Sequence, residues 1–366
     1  MTTGLYIHIP FCASRCVYCG FYSTTRPGLH HRYVQALCRE MELLPERPPI
    51  GTIYLGGGTP SQLSHALLEQ LFTYIYKVYT VSDDAEVTVE CNPDDVRPGM
   101  FDGLPVNRVS MGAQTFSDER LRFLRRRHTA REVGEAMRML RHDGIDNISI
   151  DLMFGFPKQT LDEWADDLRR AIALAPEHLS AYSLMYEEGT PLYSWLEHGK
   201  VEEIDEETSR AMYEMMADRL TAVGYEHYEI SNFARPGRHS RHNASYWHNV
   251  PYIGLGASAH SYDLRTRQWN VSDISRYMKA IEDGVLPRET EVIDADTRFN
   301  DLVTTALRTR EGICLDDVPE TFRATLLADA APHLASGLLL HEDNRLHLSR
   351  AGILVSNTVM SDLMRV

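Results

Sequence analysis

Short runs of apolar and β-branched residues alternate with longer stretches in which apolar residues recur every three or four positions, through about the first two-thirds of the chain. The short runs predict buried strands at residues 5–9, 52–55, 85–90, 108–112, 147–151 and 178–184. The longer stretches predict amphipathic helices, most clearly at residues 31–44, 62–76, 130–141 and 161–173. Strands that alternate with helices predict an α/β fold with a parallel sheet, which right-handed crossovers curl into a barrel or a partial barrel.

The pattern changes after Tyr225. Residues 233–261 are rich in Arg, His, Asn, Tyr and Trp, and this composition indicates a long loop or linker layer. From about residue 296 the pattern is mostly helical, with two short strands around a turn at 337–348 and a helix that begins at Arg350. We therefore predict three regions: a core at residues 1–232, a linker layer at 233–290, and a small, mainly helical, winged-helix-like domain at 291–366.

The charge balance excludes some classes of function. The 366 residues include 37 Lys and Arg against 52 Asp and Glu, a formal net charge of −15. This argues against a nucleic-acid-binding protein, because no surplus of cations is available to displace counterions from phosphates. No long uncharged apolar run predicts an integral membrane segment, and no signal-peptide pattern is present. Six cysteines, three of them clustered, fit a reducing compartment, so we expect a cytoplasmic location.

Three cysteines follow the first predicted strand within one short segment: Cys12, Cys16 and Cys19. They can supply a zinc site that His8 completes, a disulfide with a spare thiol, or a [4Fe–4S] cluster with one open iron. Other unusual residues also follow predicted strands: the triple glycine at 56–58, Glu90, Gln114 and Asp151. The carboxyl ends of parallel strands form the rim that carries the chemistry of a barrel, so this placement favours the cluster over zinc.

The spacing CxxxCxxC, with a tyrosine just before the last cysteine, resembles the signature of the radical S-adenosylmethionine enzymes. Three further segments make the chain similar to the coproporphyrinogen-oxidase-like branch of that superfamily: residues 6–12 (YIHIPFC), 56–60 (GGGTP) and 151–157 (DLMFGFP). The resemblance implies an open, six-unit (β/α) partial barrel. It also implies a [4Fe–4S] cluster on the three cysteines, whose open iron binds S-adenosylmethionine and whose reduced form cleaves it to a 5′-deoxyadenosyl radical.

The same resemblance implies a set of cofactor-binding residues: Tyr6, Tyr18, Gly57, Gly58, Thr59, Glu90, Gln114, Arg126 and Asp151. In the family, the glycine loop lies near the amino group of S-adenosylmethionine, and the residue that matches Arg126 contacts its carboxylate. Without the family, the glycines are equally a tight βα turn, the two carboxylates are salt-bridge partners, and Arg126 belongs to a solvated basic helix face. Arg125 departs from the glycine that the family more usually has there.

Phe21 distinguishes two groups within this branch. The oxygen-independent coproporphyrinogen III oxidases carry a further cysteine two positions after the last cluster cysteine, and a longer extension before the cluster. Here that position is Phe21, and the chain begins shortly before Tyr6. Both differences make the chain more similar to the sister group, the radical S-adenosylmethionine haem chaperones (HemW).

A second informative segment is RHNASYWH at residues 241–248. It combines an imidazole that can ligate iron, aromatic rings that can stack on a porphyrin, and neighbouring arginines that can meet propionates. From the residues alone, a structured loop and a metal site of His239, His242 and His248 are alternatives. The pattern His-Asn-x-x-Tyr-Trp resembles the haem-binding motif of the chaperone group, which implies that haem is contacted by His242, Asn243, Tyr246 and Trp247.

The resemblance therefore implies a haem chaperone that binds haem and passes it to an acceptor protein, which the sequence does not identify. No residue is assigned a catalytic role. The alternatives are the radical oxidative decarboxylation of coproporphyrinogen III to protoporphyrinogen IX, and radical chemistry on an unrelated small substrate. Peripheral attachment to a membrane is compatible with the sequence, although the sequence contains no anchor.

Overall fold

The computed structural model describes residues 2–365. Within them, the six predicted strands are confirmed as β1 (Thr3–Ile9), β2 (Ile50–Gly57), β3 (Val81–Cys91), β4 (Arg108–Gln114), β5 (Ile148–Phe154) and β6 (His178–Ser183). They pair in chain order, and every pairing is parallel. The helices that connect and follow them are α1 (His30–Leu43), α2 (His65–Val78), α3 (Asp118–Phe123), α4 (Ala130–His142), α5 (Leu161–Ala173), α6 (Pro191–Glu197) and α7 (Glu206–Ala222). A 3₁₀ turn at Pro93–Asp95 lies between β3 and β4.

Further short strands extend this sheet at both edges. Beyond β6 lie β8 (Asn232–Ala234) and then β7 (Glu226–Glu229). Beyond β1 lie β9 (Tyr252–Leu255), β10 (His260–Tyr262), β11 (Thr266–Asn270) and β12 (Arg288–Val292). In the described part of the chain, β6 pairs with β8 on its outer side and β1 pairs with β9, so the expected six-unit partial barrel is confirmed as an open one.

The prediction of a long loop at residues 233–261 is wrong. This segment contains α8 (Arg241–Trp247) and several of the edge strands. Those strands, β8, β9 and β10, have only three or four residues each, too few for a clear alternation of apolar and polar positions. The boundaries of the three predicted regions remain predictions.

The two faces of the parallel sheet differ in chemistry. Alternate residues of a strand point to opposite faces, so paired residues form rows across the sheet. The row on the outer face is apolar and belongs to the core under the helices: Ile7, Leu55, Val89, Val109 and Ile148. The neighbouring row on the inner face is polar: Tyr6, Tyr54, Thr88 and Arg108. Parallel strands buried on both faces are normally apolar throughout, so the inner face forms a polar lumen.

One buried carboxylate connects α1 to the strands beyond β1. The Glu40 side chain has no exposed surface. It accepts hydrogen bonds from the Gly256 amide at 2.8 Å, the Asn270 side-chain amide at 2.7 Å and the Tyr277 hydroxyl at 2.6 Å. Tyr277 belongs to α9 (Ile274–Glu282), so a single residue fixes the edge sheet and its helix to the core.

The C-terminal region has a hydrophobic core of its own, built around residues such as Phe299, Leu326 and Leu346. Its strands β13 (Ile313–Cys314), β14 (Leu339–Glu342) and β15 (Arg345–Leu348) form a small antiparallel sheet. Its helices are α10 (Ala295–Ala306), α11 (Glu320–Ala335), α12 (Arg350–Leu354) and α13 (Ser356–Leu363). This arrangement confirms the mainly helical, winged-helix-like region.

A short joint connects this region to β7. The Ile230 amide donates to the Arg308 carbonyl at 3.0 Å, and the Arg310 amide donates to the Tyr228 carbonyl at 3.1 Å. The Arg308 guanidinium also pairs at 3.1 Å with Glu229, whose side chain is fully buried.

Across residues 2–365 we find no helix with the length and apolar character required to span a bilayer.

Replacement of Glu40 by Leu should destabilise the fold strongly, because it leaves several buried donors without an acceptor. We expect a loss of about 3–5 kcal/mol in the free energy of unfolding, measured by urea denaturation. The matched control is Glu69→Gln on the exposed face of α2, which should change it by less than about 0.5 kcal/mol. A loss below about 1 kcal/mol for Glu40→Leu would show that this carboxylate is not the connection described here.

Candidate cluster and cofactor site

The three cysteines lie on the loop that follows β1. The Cys12 amide donates to the Thr24 carbonyl at 2.9 Å, and the Thr24 amide donates back to the Pro10 carbonyl at 2.6 Å. Farther along the loop, the Val17 amide donates to the Leu124 carbonyl at 3.2 Å. These bonds fix both halves of the loop against its surroundings, while all three cysteine side chains stay half-buried.

Two side chains donate hydrogen bonds to cysteine sulfurs. The Thr59 hydroxyl lies 3.6 Å from the Sγ of Cys12, and Nη1 of Arg126 lies 3.6 Å from the Sγ of Cys16. Burial raises the pKa of the Cys12 thiol, and it raises the pKa of Cys19 to about 11. Bare thiolates are therefore disfavoured here, whereas a bound metal centre deprotonates coordinating thiols. Hydrogen bonds to sulfur are typical of iron–sulfur ligation.

The alternatives to a cluster find less support in the geometry. His8, the candidate fourth zinc ligand, has both ring nitrogens hydrogen-bonded, to the Tyr6 hydroxyl at 3.1 Å and to the Tyr22 carbonyl at 2.9 Å. All six cysteines are free thiols. Between residues 2 and 365 no group of three His, Cys, Asp or Glu side chains is arranged to hold a metal ion, and this holds for the three cysteines themselves, so the loop is not preassembled for zinc or for a cluster.

The glycine loop at the end of β2 packs directly against the cysteine loop. The Gly58 amide donates to the Ile9 carbonyl at 2.9 Å, and the Thr59 amide donates to the Phe11 carbonyl at 2.7 Å. A Cβ at Gly58 would lie 2.7 Å from the backbone of Pro10, so only glycine permits this approach. Gly57 has a φ of +106°, which other residues rarely adopt.

Glu90 and Asp151 lie on the inner face of the sheet, Glu90 one residue before the end of β3 and Asp151 in the middle of β5. Glu90 accepts from the Tyr54 hydroxyl at 2.8 Å and from the Gly57 amide at 3.1 Å. Burial raises its pKa to about 7, and the neighbouring charge of Asp151 adds to this effect. Asp151 accepts from the Ser110 hydroxyl at 3.3 Å, and burial raises its pKa as well. The two carboxylates thus lie at one rim, where they can accept from hydroxyl or ammonium groups.

Arg126 and Gln114 converge over Gly112. Nη2 of Arg126 donates to the Gly112 carbonyl. A Cβ at Gly112 would lie 2.5 Å from this guanidinium and 2.9 Å from the Gln114 side-chain amide. Nε of Arg126 is buried without a partner, so the guanidinium keeps an unused donor beside the cysteines. Arg125, which replaces the expected glycine, has a φ of 60°.

The two tyrosines predicted for the cofactor site lie at different depths. Tyr18 is close to the cysteines and Arg126. Burial raises its pKa; the charge of Arg126 lowers it, and the charges of Cys16 and Cys19 raise it further. Tyr6 lies in the lumen, with its ring stacked on Tyr54 at 6.2 Å. The structure thus brings the sequence-predicted residues of the cluster and cofactor site to one rim, with Tyr6 directly below it.

Arg108 is a lumen residue that the sequence analysis missed. It is 1% exposed, and its Nε and Nη1 have no hydrogen-bond partner. The hydroxyl of Thr88, its neighbour across the row, is also buried without a partner. The Arg108 charge lowers the pKa of both Glu90 and Asp151, against the larger effect of burial. A charged residue at the start of an otherwise apolar strand is the signal that could have identified it.

The predicted haem motif lies at the opposite, lower end of the lumen. Glu86 accepts from the backbone amides of Arg241 and His242, at 3.0 and 2.9 Å, and so fixes the first turn of α8. His242 is fully buried; its ring bonds to the Thr52 hydroxyl at 2.8 Å and to the Tyr246 hydroxyl at 2.8 Å. Burial lowers its pKa to about 3. In this conformation His242 has no free nitrogen for iron.

The other motif residues surround this helix. The Asn243 amide bonds to Ser240 at 3.4 Å, and the Tyr246 ring packs edge-on against Tyr252 at 4.7 Å. The Trp247 ring lies 4.6 Å from the Arg308 guanidinium, and its indole nitrogen is buried without a partner.

The histidine metal site that the sequence allowed is not assembled. His239 bonds to Glu226 at 2.8 Å, and His248 bonds to the Ala244 carbonyl at 2.8 Å. His242 is separately bonded inside the lumen.

Comparison with known proteins agrees with the fold and shows the family. The profile of the radical SAM superfamily matches residues 6–171, and that of the HemN C-terminal domain matches residues 293–355. The heme chaperone HemW of Bacillus subtilis is 35% identical over 97% of this chain and 97% of its own length. The heme chaperone HemW of Mycobacterium tuberculosis H37Rv is 33% identical over 99% and 94%. Coproporphyrinogen III oxidase (HemN) of Escherichia coli, a radical SAM enzyme, superposes with a TM-score of 0.86 over 99% of this chain and 90% of its own; at 22% identity it shows a common fold.

The raised pKa of Glu90 predicts a pH dependence of stability. Between pH 4.5 and about 7 the folded state keeps a proton that the unfolded state has lost, so stability falls as pH rises through this window. In the cluster-free wild type, the free energy of unfolding should fall by about 2 kcal/mol across this window, a figure reduced for solvent at the partly exposed side chain. Glu90→Gln should not show this fall. Urea unfolding at pH 5 and pH 8 measures it, with Glu69→Gln as the control. Equal pH dependence in wild type and Glu90→Gln would contradict the assignment.

Proposed function

Because the chain belongs to the HemW family of the radical SAM superfamily, we propose that it is a haem chaperone that carries a [4Fe–4S] cluster, binds S-adenosylmethionine and passes haem to an acceptor protein. The observation that carries this proposal is full-length similarity to haem chaperones in a chain whose cysteine loop, glycine loop and rim carboxylates lie together. The free thiols fit the reducing cytoplasm, where we propose that it works.

The residues at the rim fit the cluster. We propose that Cys12, Cys16 and Cys19 ligate it as thiolates, while Thr59 and Arg126 donate hydrogen bonds to the sulfurs. Such bonds stabilise negative charge on sulfur and tune the reduction potential. When bound, a reduced cluster supplies an electron to S-adenosylmethionine at its open iron.

The same rim has partners for the polar groups of S-adenosylmethionine. The unused Nε donor of Arg126 suits a carboxylate, and Gln114 lies beside it. Glu90 and Asp151 suit hydroxyl or ammonium donors, and Gly57 and Gly58 let the glycine loop pack closely against His8 and the backbone of the cysteine loop beside them. Tyr6 and Tyr18 close the site from below and beside the cysteines, which keeps water from the reacting groups.

For haem contact we propose the motif residues His242, Asn243, Tyr246 and Trp247, in a state in which α8 has moved from the floor of the lumen. His242 can ligate iron only after its bonds to Thr52 and Tyr246 open. The surplus negative charge of the chain argues against nucleic acid as a partner, and the acceptor is an unidentified protein.

The cluster ligands can be tested by replacing each of the three cysteines with alanine. After anaerobic reconstitution we expect about four irons per chain in the wild type and a large loss of iron in each variant, because the cluster needs all three thiolates. Cys314→Ala is the matched control and should keep its iron. Stoichiometric zinc in the wild type, purified without oxygen, would sink the cluster assignment.

Haem binding is the test of the function. The wild type should bind haem in an absorption titration, and His242→Ala should weaken binding at least about tenfold through loss of the iron ligand. His178→Ala is the matched control, because His178 is equally buried and bonded, to Ser149 and Tyr228, but lies outside the motif.

The main alternative, oxidation of coproporphyrinogen III, is tested with the same preparation. Reduced protein with S-adenosylmethionine and coproporphyrinogen III should give no protoporphyrinogen IX. Its formation would favour the oxidase instead.

A further inference from the structure

A cleft of about 730 Å³ opens where β5 and β6 end, between the barrel and the C-terminal region. Gly155 and residues 183–186 form one wall, the first turns of α7 form the second, and residues 353–357 between α12 and α13 form the third. This volume is in the range of pockets that hold cofactor-sized ligands, and such pockets often lie between domains. The cleft opens at the same rim as the cysteines but belongs to the other edge of the parallel strands.

The lining of this cleft is unusual at Met185 and Tyr186. Met185 is 62% exposed, although methionine side chains are usually buried. The Tyr186 hydroxyl is buried without a hydrogen-bond partner. Leu184 and Ile204 add apolar surface beside them. The lining is polar over about half of its surface, so an accessible thioether and an unused hydroxyl in it fit a large ligand that combines apolar parts with polar groups or a metal centre.

The charged residues of the lining include one free cation. Within the described residues Arg210 is exposed and makes no ion pair. Arg308 is already paired with Glu229. Glu203 and Glu206 also line the cleft, so its net charge is small and affinity has to come mainly from apolar burial and ligation.

We propose that haem docks in this cleft, with the Met185 thioether as a ligand to iron and Arg210 as the partner of a propionate. The inference rests on the proposed function and adds a binding site outside the motif. The protein side chains that ligate haem iron are His, Cys, Met and Tyr, and the described lining of this cleft offers only methionine and tyrosine. The Tyr213 hydroxyl already donates to the Ile230 carbonyl at 2.7 Å. Burial raises the pKa of Tyr186 to about 12, which keeps it a neutral phenol, so the thioether is the available ligand.

The cleft also lies next to the haem motif. Arg308 lines the cleft, and its guanidinium stacks on Trp247 at 4.6 Å. Arg308 therefore contacts both the cleft and α8. This arrangement suits a carrier that holds haem at an accessible position while His242 is still bonded inside the lumen.

The test is an absorption titration of the full-length, cluster-loaded protein with haem, in the wild type and in matched variants. Met185→Leu keeps the volume of the side chain but removes the sulfur, so it should change the haem spectrum and weaken binding about tenfold. Arg210→Gln should weaken binding about three- to tenfold without a change of spectrum, because it removes a propionate partner and not an iron ligand. The controls are Met139→Leu and Arg131→Gln, both on α4 and outside the cleft, which should behave like the wild type.

The outcomes separate this inference from the function on which it rests. If the wild type binds haem, while Met185→Leu and Arg210→Gln keep its affinity and spectrum, the cleft is not the docking site and the proposed function stands. If the wild type binds no haem, the proposed function fails and the cleft fails with it. S-adenosylmethionine binding by each variant verifies that its rim is intact.

Discussion

The rest of the structure depends on the parallel pairing of β1 to β6 in chain order. With all strands in one direction, every loop that leaves a carboxyl end reaches the same rim, so the cysteines, the triple glycine and the two carboxylates meet although they are distant in sequence. Because successive side chains of a strand point to opposite faces, the two faces of the sheet then differ. Apolar rows such as that of Ile7 and Leu55 pack against the helices, while polar rows such as that of Tyr6 and Arg108 form the lumen.

The sequence was sufficient for the six central strands because each contains a short run of apolar and β-branched residues, although β3, at Val81–Cys91, is longer than its run. It was insufficient for β9 to β12, whose residues, such as Trp269 and Tyr252, are stabilised by pairing with neighbouring strands. Their formation depends on contacts distant in sequence, including the bonds of Glu40 to Gly256 and Asn270, and no local pattern encodes these contacts.

The candidate site divides in the same way. The common location of the rim residues could be predicted because motif spacing and strand ends coincide, while their roles as ligands stay predictions. Arg108 could not be assigned, since its burial beside Thr88 depends on the register of two strands. The placement of His242 was equally hidden: the motif predicts an imidazole for iron, but the capping of α8 by Glu86 directs that ring to Thr52. A motif identifies the kind of group that is present, and the tertiary structure decides whether that group is accessible.

The joint at β7 has a mechanical consequence. Separation of the C-terminal region from the barrel would take Arg308 away from Glu229, which would keep only the bonds from the Ser231 amide and the Asn232 side chain. It would also break the backbone bonds at Ile230 and Arg310. The loss of the partner of a buried charge costs several kcal/mol, which is a large part of the free energy of unfolding of a domain. Arg350 of α12 also pairs with Asp218 of α7, and Arg267 of β11 pairs with Asp301 of α10. The C-terminal region is thus anchored at several separate points, and a pivot at β7 alone would have to break these pairs as well.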